Sequence, residues 1–372
     1  MTPLERETLC AVALSRTHGL SQAAALQLYR AAGSATALFE HRADLRALLP
    51  DVAPRAAAAL RAADDALHRA EAELEWAGSK GVDVLCLSDD RYPVRLRECP
   101  DAPLVLYYKG TPCLSARRMV AVVGTRRVTE QGKELCRRFC DELAAAAPGT
   151  VVVSGLAYGV DIHAHRAALA AGLSTVGVLA HGLDRLYPPS HRREAAAMLA
   201  DGGLLTEYMT GTVPDKGNFV RRNRIVAGLV DACVVVESAA RGGALITARL
   251  AADYHRDVFA FPGRVTDPCS EGCNQLIASQ QALLLTGGRA LAENMGWAEA
   301  GTAPAPVQRE LFPELTEAEA MLCELLRGSD GLPLNMLVVR SGRPVQEVSA
   351  LLFELEMKGV VKAMAGSLYR LL

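Results

Sequence analysis

Short runs of β-branched and other apolar residues recur at 82–87, 104–108, 119–123, 151–153, 175–179, 204–206, 233–236 and 258–261, most of them parted by a segment of helical length. Runs such as MVAVV and VVVS do not alternate apolar with polar side chains. A strand of that kind is buried on both faces, as in a parallel sheet with helices above and below it. The pattern predicts an α/β fold, a Rossmann-like doubly wound and mostly parallel sheet, over 79–298.

Different textures flank this region. Residues 1–78 carry Ala and Leu at helical spacing, interrupted at Gly19, Gly33, Pro50 and Pro54, which predicts a small helical domain of the SAM or helix-hairpin-helix kind. The glycine-rich turn that lets such helix pairs clasp DNA is missing around 31–34, so packing is its expected role. Residues 299–314, rich in Ala and Pro, read as an extended linker. From 315 to 372 a Thr316-x-x-Glu319 capping box opens the first of three helical segments, and a hairpin turning at Ala365 and Gly366 closes the chain. That order describes a winged helix. Its third helix shows Gln346, Glu347, Glu354 and Glu356 where a duplex reader would carry cations, which leaves a protein-contact or autoinhibitory role as open as DNA binding.

Composition narrows the partners. Forty Lys and Arg against 42 Asp and Glu give a net charge of -2, so a polyanion must be held by a local patch rather than by the overall field. No basic leader precedes an apolar segment, and no apolar run approaches the roughly 20 residues that span a bilayer, so a cytoplasmic protein away from membranes is expected. The 10 cysteines are scattered through apolar stretches and read as buried thiols. Cys136 with Cys140, and Cys269 with Cys273, have helical spacing but no histidine to complete a metal set, so neither metal nor cofactor is expected.

In a doubly wound sheet the ligand lies beyond the carboxyl ends of the strands, where helix N-termini present unpaired N–H groups. Loops of that description begin at Gly124-Thr125-Arg126, at Ser154-Gly155 ahead of Asp161, and at Gly242-Gly243 ahead of Thr247. Taken singly, each also reads as a plain strand-to-helix turn. His163 and His165, two apart on a helix, point to different faces and read as structural. The fourth segment, PDKGNFVRRNRIVAG, sets Lys216, Arg221, Arg222 and Arg224 around Phe219. Cations interleaved with an aromatic suit a phosphodiester backbone with a base stacked on the ring.

The segments GTR at Gly124, SGLAYGVD from Ser154, HGLDRLYPP from His181, GNFVRRNRIVAGL from Gly217, GGALITARLA from Gly242, FPG from Phe261 and GCNQLI from Gly272 resemble, in order and spacing, the DNA-processing protein A (Smf) family. The resemblance implies a non-enzymatic protein that coats single-stranded DNA in natural transformation, loads the RecA recombinase and helps displace single-strand-binding protein. It places Thr125, Arg126, Lys216, Phe219, Arg221, Arg222 and Arg224 along a single-strand groove shaped by Gly155, Asn223 and Gly243, and Ile277 and Leu283 at a homodimer interface. The family usually has Ser at Thr125, often a basic residue at Tyr158, and Ser-Gly at Gly242-Gly243.

Two other classes stay open on the sequence. Glu237 or Asp161 at a strand end would serve a Rossmann-like enzyme cleaving N-glycosidic bonds. The winged helix would serve a duplex-DNA regulator. The chain contains no P-loop, HExxH or GxSxG segment.

Overall fold

The computed structural model of the chain describes residues 1–298, 315–327, 329, 331–364 and 368–371. The expected linker at 299–314 and the expected turn at Ala365 and Gly366 lie outside them. The chain divides into two compact units, Met1–Glu299 and Ala300–Leu372.

Among the described residues of the first unit, nine strands form one sheet: β1 (Asp83–Cys86), β2 (Val105–Gly110), β3 (Met119–Val123), β4 (Val151–Ser154), β5 (Thr175–Val178), β6 (Gly202–Thr206), β7 (Ala232–Val235), β8 (Asp257–Ala260) and β9 (Leu283–Leu284). Their order across the sheet is β1-β2-β6-β5-β4-β3-β7-β8-β9. From β6 to β9 every neighbouring pair is parallel. At the other edge β2 runs antiparallel to both β1 and β6. The runs at 82–87 and 104–108 thus form an antiparallel edge to a parallel sheet. β9 has no counterpart in the sequence reading, because a strand of two residues is too short to show a period.

The chain starts the parallel core at β3, moves outward through β4, β5 and β6, then returns to lay β7 against the other side of β3. This reversal opens a crevice at the carboxyl ends of β3, β4 and β7.

Side chains alternate between the two faces with the period of a strand. Met119, Ala121 and Val123 face one apolar cluster together with Val151, Val153, Cys233 and Val235. Val120, Val122, Val152 and Val234 face the other. The first cluster also contains Val12 and Leu14 of helix Pro3–Arg16, so the N-terminal helices share a core with the sheet. It is completed by residues of helices Lys216–Gly228 and Gly243–Asp253. On the second face Phe139 and Leu143 of helix Glu130–Ala146 meet Val160 and Ala164 of helix Val160–Ala170. All ten cysteines are free thiols. Burial pushes the Cys136 thiol up to about 12.

In the second unit, helices Glu317–Leu326, Leu334–Ser341 and Val345–Met357 enclose a small core of Leu322, Leu326, Leu337, Val348, Leu352 and Leu355. The capping box at Thr316 is formed, with the Glu319 amide donating to Thr316 Oγ1 at 3.3 Å and the Thr316 amide donating back to Glu319 Oε2 at 2.8 Å. Strands Val361–Met364 and Leu368–Leu371 pair antiparallel, and Leu332–Pro333 adds a third strand beyond the expected hairpin. Gln346, Glu347, Glu354 and Glu356 are exposed on the third helix.

No described helix is long and apolar enough to cross a membrane. No group of three or more His, Cys, Asp or Glu among the described residues is arranged to hold a metal ion.

A candidate nucleic-acid interface

The crevice is a cleft of about 860 Å³, lined by Gly124, Thr125 and Arg126 after β3, Gly155, Ala157, Tyr158 and Asp161 after β4, and Ser238, Arg241, Gly242 and Gly243 after β7. Helix Lys216–Gly228 contributes Lys216, Phe219, Val220, Arg222, Asn223 and Val226, and Tyr187, Pro214 and the acidic Asp215 also line the cleft.

The floor is built from the loop after β4. Asp161 accepts the amides of Gly155 at 3.1 Å and Ala157 at 3.4 Å, so the loop folds back on its own carboxylate. Behind it lies Arg222, only 3% exposed, which donates Nη1 to the carbonyl of Val178. A Cβ at position 155 would run into that guanidinium, which is why glycine stands there. Gly159, at φ +81, lets the same loop touch the backbone of Thr125 and Arg126. Burial raises the Asp161 carboxyl above its ordinary value while the charge of Arg222 opposes the rise. Burial also lowers the Arg222 guanidinium, against the pull of Asp161. The two charges are a buried pair that compensate one another without direct contact.

The rim is different. Arg126, Lys216 and Arg241 are exposed, and among the described residues no carboxylate pairs with them. The Arg126 guanidinium lies over the Phe219 ring, 4.9 Å from its centroid, within cation–π range. Tyr187 approaches the same ring at 5.9 Å, tilted by 58°. Helix Gly243–Asp253 starts in the cleft lining and has no side-chain N-cap, although the Leu245 amide donates to the Gly242 carbonyl at 3.2 Å. The N-terminus of helix Lys216–Gly228 is instead occupied, since Asp215 accepts from Gly217 N at 2.7 Å. Asn223 Nδ2 donates to the Gly243 carbonyl at 3.4 Å and ties the two helices together.

The sequence model of the family described as DNA recombination-mediator protein A matches residues 83–296, and that of the DprA winged helix domain matches 303–367. The chain belongs to the DNA recombination-mediator protein A family. It is 36% identical to Protein Smf of Escherichia coli over 304 residues, covering 81% of this chain and 80% of that protein. It is 42% identical to DNA processing protein DprA of Streptococcus pneumoniae over 205 residues, 55% of this chain and 72% of that protein. The solved structure of the pneumococcal protein superposes with a TM-score of 0.65 at 33% identity, covering 77% of this chain and 97% of that one. DNA processing protein A from Helicobacter pylori, described for its unique single-stranded DNA binding mode, superposes with a TM-score of 0.52 at 31% identity, covering 57% and 95%.

Within this family member the fold gathers most, but not all, of the residues the sequence singled out. Thr125, Arg126, Gly155, Lys216, Phe219, Arg222, Asn223 and Gly243 line the cleft. Arg221 and Arg224 do not. At 100° per residue Arg221 lies about 200° and Arg224 about 140° round the helix from Phe219. Arg221 donates to Asn218 Oδ1 at 2.8 Å, and Arg224 is a buried ion pair with Glu207 that also reaches the carbonyl of Asp101. Arg222 lines the cleft as part of its floor rather than as a free cation.

Leu283 is 56% exposed on β9 at the open edge of the sheet, and Ile277 is half-buried against the core. Glu237 lies outside the cleft lining. Its Oε2 accepts the Thr129 amide at 2.9 Å and its Oε1 accepts the Thr129 hydroxyl, which fastens the start of helix Glu130–Ala146. His165 is fully buried beneath the floor, where its Nδ1 meets Thr175 Oγ1 at 2.7 Å. Sequence reasoning missed Arg241, whose position just before Gly242-Gly243 and a helix was the available signal. It also missed Tyr187, which no local pattern marks.

Proposed function

We propose that the cleft holds single-stranded DNA and that the protein works by binding and delivery rather than by catalysis. The observation that carries this reading is the convergence of three unpaired cations, Arg126, Lys216 and Arg241, on one trough with the Phe219 ring. Cations fix the phosphates and the ring accepts an unpaired base. The relative from Helicobacter pylori, described for its single-stranded DNA binding mode, agrees with it. The carboxylates available for an N-glycosidic enzyme favour the binding role, because Glu237 is held by Thr129 and Asp161 by the loop amides.

In the cell, the strand held here would be DNA arriving in the cytoplasm during natural transformation. The protein would protect it, recruit RecA and help displace single-strand-binding protein. Two copies would meet through the sheet edge at Leu283 and Ile277, and Leu283→Glu would then shift sedimentation from dimer to monomer.

Titration of labelled oligonucleotides at several salt concentrations tests the central claim. Single strands should bind more tightly than duplex of equal length. The log–log salt slope should fall by about 0.7 for each of Lys216→Ala, Arg126→Ala and Arg241→Ala. Arg224→Ala, away from the cleft, should leave the slope unchanged. Equal affinity for duplex, or slopes indifferent to the three cleft cations, would sink the proposal.

A further inference from the structure

Seven of the nine tyrosines fall into two groups, while Tyr254 and Tyr369 are intermediate in exposure. Tyr29, Tyr92, Tyr107, Tyr108 and Tyr208 are buried, and Tyr92 and Tyr108 donate their hydroxyls to main-chain carbonyls at 2.7 and 2.6 Å. Tyr158 and Tyr187 are 46% and 40% exposed, and both line the cleft. Neither hydroxyl is hydrogen-bonded to a described residue. Two half-exposed rings thus face one trough in a chain with 5% aromatic residues.

Each ring is propped rather than loose. Tyr158 stands edge-on to the His191 ring at 5.1 Å and 73°, and His191 Nδ1 is itself 3.0 Å from the carbonyl of Leu156. Tyr187 leans on Phe219, and its amide donates to His181 Nε2 at 3.2 Å. Rings held in this way lose little freedom when a ligand stacks on them.

The wall that carries Tyr158 has a further property. Its amides at Gly155 and Ala157 already serve Asp161, so the loop after β4 offers few donors to a phosphate. What it presents to a ligand is a ring.

We infer that Tyr158 and Tyr187 are base-stacking residues, so that an unpaired strand in the cleft lies on Tyr158, Tyr187 and Phe219 and not on cations alone. The inference rests on the reading of the cleft as a single-strand site. Stacking of this kind is available to any base.

The test uses the full chain, labelled oligo-dT and an abasic strand of the same length, followed by fluorescence anisotropy across a salt series. Tyr158→Ala and Tyr187→Ala should each weaken oligo-dT binding about tenfold with the salt slope unchanged, while Tyr→Phe at either position stays within about twofold. On the abasic strand the Ala variants should bind as tightly as the unsubstituted chain. Ala variants that bind oligo-dT normally, that lose affinity equally on the abasic strand, or that lower the salt slope would overturn the assignment. An unsubstituted chain that binds no oligo-dT would overturn the reading of the cleft and this inference with it.

Discussion

The loop after β4 and the loop after β7 sit at equivalent places on the same end of the sheet, each joining a buried strand to a helix that begins with glycine nearby. After β4 the amides turn inward to Asp161, with Arg222 buried behind them. After β7 the helix start is uncapped, and Arg241 stands exposed beside Gly242. One loop is floor, and the other presents an exposed cation and an uncapped helix start at the rim. Strand-end position therefore places a loop at the site, but where its polar groups already point decides whether it can bind anything.

The largest effect that would break this contrast is expected at Asp161. Asp161→Ala should cost on the order of 3–5 kcal/mol in urea unfolding at neutral pH, because it strands the buried Arg222 charge and two loop amides. Asp161→Asn keeps an acceptor and should cost less than the Ala variant. A loss below about 1 kcal/mol for Asp161→Ala would mean that the loop is not braced by its carboxylate.

The next effect concerns the helix that the floor loop leads into. Burial lowers the His165 imidazole from 6.5 to about 3, with the charge of Arg222 acting in the same direction. The ring stays neutral in the fold while the unfolded chain takes up the proton below its ordinary value of 6.5. The stability tied to it is complete above 6.5 and drains away as the pH falls towards 3. Between pH 6 and 4, His165→Gln should flatten the acid limb by up to about 1.4 kcal/mol per pH unit. Identical acid limbs would show that the histidine is not held neutral.

The smallest effect on stability, and the one that sharpens the contrast, belongs to Arg241. Arg241→Ala should leave unfolding within about 0.5 kcal/mol while lowering the salt slope of single-strand binding. Arg224→Ala should do the reverse, since it leaves Glu207 buried without its partner.

Part of this site was legible before any fold was in view. Gly124, Gly155 and Gly243 stand where β-branched runs give way to helices, and such junctions fall at one end of a parallel sheet whatever its details. Lys216 and Phe219 were legible as a cation beside an aromatic. Arg221 and Arg224 were misplaced because a cluster counted along the chain ignores the helix that carries it, although the 100° step would have separated them once that helix was recognised. Arg241 was marked only by its neighbouring glycines.

By itself, the sequence determined the sheet, the two-faced burial of its strands, the capping box and helices of the second unit, and the end of the sheet at which a ligand would lie. Those features follow from periods of two and 3.6 residues and from short-range capping, which are local properties of the chain. Only the tertiary structure decided that Arg222 is floor, that Arg224 belongs to Glu207, and that Tyr187 and Arg126 meet on Phe219. Each of those outcomes depends on partners far away in sequence, and on which side of a helix faces the sheet. The helical period separates the sides, but no local pattern records which partner each side meets.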